Sequence, residues 1–388
     1  MAVAKLKRIL EAGRRARILV VDDSTVIRRL VTMALEGDPC LEVVGTATNG
    51  KEALEQLTKL TPDVVTLDIE MPEMDGLEAL RHIRKLSPQV RVVMLSTLTE
   101  RGAAITLEAL ALGADDYMTK QVEGRSVEES TAKLRADLCP KVRQFFSFPA
   151  PNGGNGLAPE LVRSTPALAD ASLMPRVPRL WKHVPRVVAI GISTGGPTAL
   201  ASIIPQIPRD FGLPVLIVQH MPALFTKLLC ERLQERSQLR ICEAAHGDVV
   251  RPGLILVAPG DYHMRVELIS GERHPRIALD QGPPQNSCRP AVDVLFESVA
   301  SVYGGSALAA VLTGMGHDGL RGARLLKSAG AAIIAQDEET SAVWGMPRAL
   351  AEAKIADAVL PLNEIIPYIV SSCQRFITRD EPRTQETR

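Results

Sequence analysis

Short apolar runs alternate with amphipathic stretches along most of the chain, and the alternation falls into two blocks. In the first block, apolar runs predict strands at 17–23, 42–48, 63–69, 91–97 and 114–120. Amphipathic stretches predict helices near 24–36, 50–60, 76–86, 101–112 and 127–146. This order predicts a parallel sheet with helices on both faces, in which functional groups gather at the carboxyl ends of the strands.

The second block shows the same alternation of apolar runs and amphipathic stretches. Its predicted strands are 186–192, 214–220, 254–259, 307–314, 331–336 and 357–362, with helices near 196–206, 222–236, 292–302, 319–329 and 363–375. Residues 147–185 are rich in Pro, Gly and Ala and predict a linker. We therefore expect an α/β protein with two doubly wound parallel-sheet domains, at 17–146 and 186–375. A basic N-terminal tail (1–16) and a polar C-terminal tail (376–388) flank them.

The composition argues against nucleic-acid-binding, membrane-spanning and secreted proteins. The 388 residues carry 45 basic and 45 acidic side chains, so the chain lacks the positive field that binds nucleic acid or anionic lipid. No apolar run approaches the ~20 residues that a membrane span needs. The N-terminus has no sustained apolar segment of the secretory type, and the six cysteines are scattered without a C-x-x-C pair. We expect a cytoplasmic protein with reduced thiols and no direct membrane insertion.

Five polar side chains end strands of the first predicted sheet. Asp22 and Asp23 follow the first strand, Asp68 the third, Ser96 the fourth and Lys120 the fifth. Neighbouring carboxylates repel unless a cation lies among them, and such an oxygen-rich pocket suits Mg²⁺. A carboxylate can also attack phosphorus and form an aspartyl phosphate, whose charge the metal and Lys120 would offset. Simple helix capping would explain one such Asp, but not five converging polar groups.

The first block resembles a response-regulator receiver domain over its whole length. The matching segments are VVDDS at 20–24, LDIEMPEMDG at 67–76, MLST at 94–97 and DYMTK at 116–120. The resemblance implies a flavodoxin-like fold and a histidine kinase as phosphodonor.

The same resemblance implies a role for each polar residue. Asp68 is the phospho-acceptor, and Asp22 and Asp23 join it in holding Mg²⁺. Ser96 and Tyr117 take the positions of the switch residues, and Lys120 contacts the phosphoryl group. Gln121 departs from the pattern, because the family usually has Pro there.

A serine, a histidine and an aspartate follow strands of the second predicted sheet. Ser193 lies in GISTGGPTAL (191–200), a G-x-S-x-G turn between a strand and a helix, where backbone N–H groups can stabilise an oxyanion. His220 ends the strand at 214–220, and Asp318 lies just past the strand at 307–314. A serine nucleophile needs an imidazole base, which in turn needs a carboxylate to orient it. The order Ser–His–Asp differs from that of α/β-hydrolases, so that superfamily is disfavoured.

The second block resembles the catalytic domain of the chemotaxis protein-glutamate methylesterases, a Rossmann-like α/β hydrolytic domain. The matching segments are GISTGGP, VQHMP at 218–222, VAPGDYHM at 257–264, RPAVDVLF at 289–296, LTGMGHDG at 312–319 and AQDEETSAVWGMPRA at 335–349. The resemblance implies Ser193 as nucleophile, His220 as general base and Asp318 as its orienting acid. Thr194 and Met315 would lie beside the site, with Met315 lending an N–H group to the oxyanion. Cys288 and Gln281 are departures, where the family commonly has His and Asp.

Together, the two resemblances predict a hydrolase controlled by phosphorylation. It would hydrolyse glutamate γ-methyl esters on cytoplasmic helices of chemoreceptors, release methanol and deamidate receptor glutamines, with no cofactor in the catalytic domain. The unphosphorylated receiver would cover the catalytic residues. One alternative is a receiver-linked acyl hydrolase of another substrate. A second is a non-catalytic receiver-output module, which should show a helix-turn-helix or basic output region, and neither is visible.

Overall fold

The structure is a computed structural model that describes residues 8–11, 13–120, 126–148 and 183–377, with side chains as far as residue 373. Gln121, most of the predicted linker (149–182) and most of the predicted polar tail (378–388) lie outside the described residues. The described chain forms two parallel-sheet domains, which confirms the predicted fold class.

The first domain is a five-stranded parallel sheet with helices on both faces. Its strands are β1 (Arg8–Ile9), β2 (Ala16–Val21), β3 (Leu41–Ala47), β4 (Val64–Asp68), β5 (Arg91–Ser96), β6 (Asp116–Thr119) and β7 (Phe146–Ser147). Its helices are α1 (Thr25–Glu36), α2 (Gly50–Leu60), α3 (Gly76–Leu86), α4 (Glu100–Ala111) and α5 (Val127–Arg143). The sheet order is β3-β2-β4-β5-β6, the flavodoxin-like doubly wound order.

Polar caps fix where these helices start. The side chains of Ser24, Asn49, Asp75, Thr99 and Ser126 each accept a hydrogen bond from the backbone N–H three residues later. Such a bond satisfies one of the N–H groups that a helix leaves unpaired at its first turn. Each of these five helices therefore begins at the residue that follows its polar cap.

Part of the predicted N-terminal tail belongs to the first domain. Strand β1 pairs in parallel with β7, so the predicted helix at 127–146 ends at Arg143 and its last residues extend instead. Leu10 is buried, and Arg8 and Arg14 contact the buried carboxylate of Asp63 at 2.5 and 3.1 Å. The prediction that residues 1–16 form a tail is wrong for 8–11 and 13–16, because a buried aspartate recruits their arginines.

The second domain has seven parallel strands and a separate antiparallel hairpin. Its strands are β8 (Val187–Ile192), β9 (Val215–Gln219), β10 (Arg240–Glu243), β11 (Leu254–Val257), β12 (His263–Glu267), β13 (Arg276–Asp280), β14 (Ala307–Val311), β15 (Ala332–Gln336) and β16 (Ala358–Leu360). Its helices are α6 (Gly196–Ile203), α7 (Ala223–Gln234), α8 (Val292–Tyr303), α9 (Leu320–Ser328), α10 (Met346–Glu352) and α11 (Leu362–Ile377). The sheet order is β10-β11-β9-β8-β14-β15-β16, and β12 pairs with β13.

The strand order of the second sheet reverses beside β8. The chain runs from β8 outward through β9 on one side, then returns to add β14 on the other. Ligands of doubly wound sheets bind at such a switch point, outside the carboxyl ends of the strands. Ser193 follows β8 and His220 follows β9, so both lie at this point.

The two domains share one buried apolar cluster. Helix α4 of the first domain packs on α6 and α7 of the second. The ring of Tyr117 stacks on that of Phe225, with centroids 4.8 Å apart. Leu107 and Leu110 of α4 lie in the same cluster as Ile203. Across the described ranges, no helix combines the length and apolar character that a bilayer span requires.

Candidate active site and phosphoryl-acceptor site

Ser193 lies on a tight turn between β8 and α6. Its N–H donates to Thr313 O at 2.9 Å, and its own carbonyl accepts from Gln219 Nε2 at 3.0 Å. Gly195 has a φ of 77°, a left-handed conformation that glycine adopts without strain. A Cβ at residue 196 would lie 1.9 Å from Gln219 Oε1, so any larger residue would force the Gln219 side chain to move. The GISTGG segment thus forms the sharp turn that its glycines predict.

His220 lies beside this turn, because β8 and β9 are adjacent. Its backbone N–H donates to Ile192 O at 3.2 Å. Its ring Nε2 lies 2.8 Å from Asp318 Oδ2, and Nδ1 lies 3.4 Å from the sulfur of Cys288. Within the described part of the chain, no hydrogen bond joins the Ser193 hydroxyl to the ring. The structure therefore joins the predicted base and acid directly and places the predicted nucleophile on the neighbouring strand end.

Asp318 is a buried carboxylate surrounded by donors. Besides His220, it accepts from the backbone N–H groups of Val292 at 2.6 Å, Asp293 at 3.1 Å and Gly319 at 3.0 Å. Val292 and Asp293 open α8, so the carboxylate lies at a helix N-terminus, where the helix dipole favours negative charge. Burial acts to raise the pKa of Asp318, but His220 and the backbone donors outweigh it and hold the pKa below its usual range.

The protonated form of His220 is favoured by its neighbours. Burial of the ring lowers the pKa of His220, but hydrogen bonds to Asp318 and Cys288 and their charges raise it more, to about 10. The charged form of the ring matches the carboxylate beside it, whereas proton transfer from serine uses the neutral form.

Two backbone N–H groups close to Ser193 remain open. Thr194 is the next residue after Ser193. Met315 is the next residue after Gly314, which packs so closely on the serine that a Cβ built on Gly314 would lie 2.7 Å from Ser193 Cβ. In the described ranges, the N–H groups of Thr194 and Met315 donate to no protein acceptor. Met315 is 42% exposed, whereas Thr194 is buried. Both predicted oxyanion residues thus bring unpaired donors to the neighbourhood of the serine.

Asn286 belongs to this site although the sequence motifs do not predict it. Asn286 donates to Asp318 Oδ1 at 2.8 Å and to Asp293 Oδ2 at 3.0 Å. Asn is a residue that tolerates left-handed turns, and its position in a Pro- and Gly-rich loop was the available signal. Gln281, noted as a departure, instead donates to Asp261 at 3.0 Å on an exposed surface.

The polar strand ends of the first domain converge as the sequence predicts. Asp22, Asp23 and Asp68 offer oxygens that all lie within 4.8 Å of one another. Lys120 Nζ lies 2.7 Å from Asp22 and 2.6 Å from Asp68. Burial raises the pKa of Asp68 to about 6, against the opposing effect of Lys120. Three clustered carboxylate oxygens are a donor set that fits Mg²⁺.

Ser96 and Tyr117 connect this cluster to the second domain. Ser96 ends β5, is fully buried, and its hydroxyl accepts from Thr106 Oγ1 of α4 at 2.8 Å. Tyr117 lies on the adjacent strand β6 and stacks on Phe225. The two residues that the resemblance names as switches therefore contact, respectively, an interface helix and the other domain.

Strand β6 also reaches the serine turn itself. Asp116 Oδ2 accepts from Thr194 Oγ1 at 3.4 Å, and also from Lys141 and Gln144 of the first domain at 3.1 and 2.9 Å. On the same face, Thr198 of α6 donates to Leu110 O at 3.3 Å. The first domain thus covers the turn that carries Ser193.

An acidic cluster at the edge of one sheet, and a serine turn in a second domain that contacts the first, are the features of a response regulator with a hydrolytic output domain. Comparison with protein families agrees: the response regulator receiver domain matches residues 18–131, and CheB methylesterase matches residues 188–369. The chain belongs to the protein-glutamate methylesterase/protein-glutamine glutaminase family and is a hydrolase. This supports the methylesterase interpretation and neither of its two alternatives.

Relatives match over nearly the whole chain. A protein-glutamate methylesterase/protein-glutamine glutaminase of Nocardioides sp. (strain ATCC BAA-499 / JS614) is 47% identical over 366 residues, covering 94% of this chain and 96% of the relative. One from Caulobacter vibrioides is 46% identical over 355 residues, covering 92% and 98%. Among solved structures, the Thermotoga maritima CheB methylesterase catalytic domain is 42% identical, with a TM-score of 0.47, covering 48% of this chain and 98% of that one.

Proposed function

We propose that this protein is a phosphorylation-regulated methylesterase that hydrolyses glutamate γ-methyl esters on cytoplasmic helices of chemoreceptors and also deamidates receptor glutamines. The observation that carries the proposal is the contact of His220 Nε2 with Asp318 at 2.8 Å, one strand away from Ser193. A histidine kinase is the proposed phosphodonor, and the cytoplasm, where both partners are accessible, is the proposed location.

Nδ1 of His220 is the proposed base nitrogen, because Nε2 is committed to Asp318. Ser193 Oγ attacks the ester carbonyl while its proton passes to Nδ1, and a tetrahedral intermediate forms. As the intermediate collapses, the C–O bond to methoxide breaks and Nδ1 returns the proton, so methanol leaves. Water then attacks the acyl-enzyme by the same route and regenerates Ser193. With glutamine as substrate, the leaving group is ammonia.

The backbone supports the charge that develops on the carbonyl oxygen. The open N–H groups of Thr194 and Met315 are the proposed oxyanion donors. Preorganised N–H donors of this kind contribute about 2.7–4 kcal/mol each to lowering the barrier of acyl transfer. Asp318 stabilises the imidazolium that exists while Nδ1 holds the serine or water proton.

Asp22, Asp23 and Asp68 are the proposed holders of Mg²⁺ in the receiver. When bound, the ion neutralises charge on phosphoryl oxygens, as cations do in phosphoryl transfer. Lys120, whose Nζ already contacts Asp68, is the proposed contact of the phosphoryl group. The pKa of about 6 for Asp68 leaves it largely ionised at neutral pH and therefore able to act as the phospho-acceptor.

Release of the catalytic domain follows from the contacts of Ser96. A phosphoryl group on Asp68 would draw the Ser96 hydroxyl away from Thr106, and so change how α4 is held. Helix α4 carries the Leu110 carbonyl that Thr198 contacts, so a shift of α4 loosens the interface. Changing a closed-to-open ratio from 1:99 to even requires only about 2.7 kcal/mol, half of the full switch to 99:1.

The test is methanol release from methylated receptor membranes, with and without acetyl phosphate as phosphodonor. Wild-type protein should release methanol, and faster with the phosphodonor. Ser193→Ala should lower the rate at least about 10³-fold, since a triad nucleophile is being removed. The control is Ser202→Ala on the exposed face of the same helix region, which should keep wild-type rates. Equal rates in Ser193→Ala and wild type would refute the proposal.

A further inference from the structure

A two-residue turn beside the catalytic residues has an unusual backbone. Gln285 and Cys288 exchange both backbone hydrogen bonds, at 3.0 and 2.9 Å, so Asn286 and Ser287 form the tip. Both tip residues have left-handed φ values, 51° and 63°, although neither is glycine. Left-handed backbone in non-glycine residues costs free energy and concentrates at functional sites.

This turn delivers two side chains to the charge network. Asn286 bridges Asp318 and Asp293 at 2.8 and 3.0 Å. Cys288 places its sulfur 3.4 Å from His220 Nδ1. The following residue, Arg289, anchors the loop through Asp261 at 2.5 Å and through backbone carbonyls. The sulfur is therefore held in place from both sides of the turn.

The sulfur of Cys288 contacts Nδ1 of His220, the ring nitrogen that is the proposed base. With Nε2 engaged by Asp318, Nδ1 is the ring nitrogen left to exchange a proton with Ser193. Within the described residues, Cys288 is the one side chain that lies within hydrogen-bonding distance of Nδ1. The protonated ring has an N–H at Nδ1, and a sulfur at this distance can accept from it.

We propose that Cys288 is a positioning residue for the hydrolysis: its sulfur accepts from Nδ1–H of the imidazolium and holds the ring in the orientation that exchanges protons with Ser193. The proposal rests on the methylesterase function proposed above. It assigns a role to a position where the family resemblance leads one to expect histidine, which would bring a larger and itself titratable ring.

The electrostatics agree with this geometry. The titratable groups that act on the His220 ring are Asp318 and Cys288, and hydrogen bonding to each of them raises the pKa of His220. Loss of the sulfur should therefore lower that pKa and shift the acidic limb of the rate profile to lower pH. It should also leave the ring less firmly oriented, which lowers the maximal rate without changing substrate contacts.

The experiment uses the full chain with acetyl phosphate and Mg²⁺, and measures methanol release against pH. Cys288→Ala should lower kcat about ten-fold, the effect of about 1.4 kcal/mol, with KM unchanged. Its acidic limb should move down by roughly half a pH unit or more. Cys288→Ser, whose hydroxyl can also accept, should recover most of kcat. Ser287→Ala, at the exposed tip of the same turn, should match wild type. Circular dichroism confirms that each variant is folded.

A second measurement does not depend on catalysis. In ¹⁵N-histidine-labelled protein, the His220 signals, assigned with His220→Gln, report ring protonation directly. A lower titration midpoint in Cys288→Ala supports the proposal, and an unchanged midpoint together with unchanged kcat overturns it. Failure of wild type to release methanol would refute the methylesterase function instead, and the titration would then decide the role of Cys288 alone.

Discussion

Thr194 donates its hydroxyl hydrogen to Asp116 across 3.4 Å, and this bond joins the receiver to the residue next to Ser193. Asp116 is buried and also accepts from Lys141 and Gln144, so its carboxylate is fixed before it meets the catalytic domain. A fixed, buried acceptor is a stronger contact than a mobile surface group, because little side-chain entropy is lost on binding.

Asp116→Ala should therefore raise the activity of the unphosphorylated protein. Loss of a charge-assisted interdomain bond of about 1–1.4 kcal/mol would raise the open fraction, and with it the basal methanol release, about five- to ten-fold. The rate with acetyl phosphate should change less, since the proposed effect of phosphorylation is itself to raise the open fraction. Glu108→Gln is the control, because Glu108 lies on α4 but pairs with Arg81 in solvent. A basal rate equal to that of Glu108→Gln would contradict the role of Asp116.

Asp68→Asn should stabilise the receiver in the absence of divalent cations. The folded-state pKa of Asp68 is raised to about 6 from 3.8, so the protonated form is favoured in the folded state. The corresponding stability is present below about pH 3.8 and is lost as pH rises through 6. At pH 7 the ionised group therefore costs the fold about 3 kcal/mol, a cost that asparagine avoids.

Urea unfolding in EDTA at pH 5 and pH 7.5 checks this sign, since the advantage of Asp68→Asn should grow with pH. Adding Mg²⁺ at about ten times its Kd should stabilise wild type by about 1.4 kcal/mol and the variant by less. Equal stabilisation of both proteins by Mg²⁺ would exclude Asp68 as a ligand.

The His220–Asp318 pair should stabilise the catalytic domain most at low pH. The pKa of His220 is about 10, against 6.5 for a free imidazole. Its stabilisation is therefore complete below about pH 6.5 and is lost as pH rises through 10. His220→Gln should cost more unfolding free energy at pH 6 than at pH 10. Exposed His274→Gln serves as the control, and a cost for His220→Gln that is independent of pH would argue against a protonated ring.

The N-terminal arginines should contribute to the stability of the receiver. Asp63 has a side chain only 1% exposed, and Arg8 and Arg14 supply its positive partners. Replacing both with alanine leaves the buried carboxylate with the Arg17 backbone N–H as a donor but without these two charged partners, which should cost about 1–3 kcal/mol of unfolding free energy. Arg15→Ala, which breaks an exposed pair with Glu42, should cost less than about 1 kcal/mol. Urea unfolding at neutral pH measures both.

The sequence predicts best the groups whose position depends on strand order alone. Asp22, Asp68 and Lys120 end parallel strands of one sheet, and parallel strands bring their carboxyl ends to a single edge. The contact between His220 and Asp318 follows the same logic, although Asp318 lies seven residues beyond β14 and depends on α8 to hold it. The catalytic roles of Ser193, His220 and Asp318 stay predictions.

The elements and contacts that the sequence does not predict depend on residues that are far away along the chain. Strand β1 exists because β7, more than a hundred residues later, pairs with it, and a two-residue strand has no periodicity to detect. The hairpin β12–β13 has charged residues opposite each other beside its connecting loop, Glu267 and Arg276, which weaken its apolar pattern. Asp116 is the first residue of β6, and nothing in the strand pattern around it indicates the contact with Thr194 of the second domain.

Because Tyr117, Leu110 and Phe225 form an apolar seam between the domains, the free energy of domain separation depends on temperature. Parting these side chains hydrates nonpolar surface, so opening carries a positive heat-capacity change, and the seam weakens on cooling. Cooling the protein should therefore favour separation of its two domains.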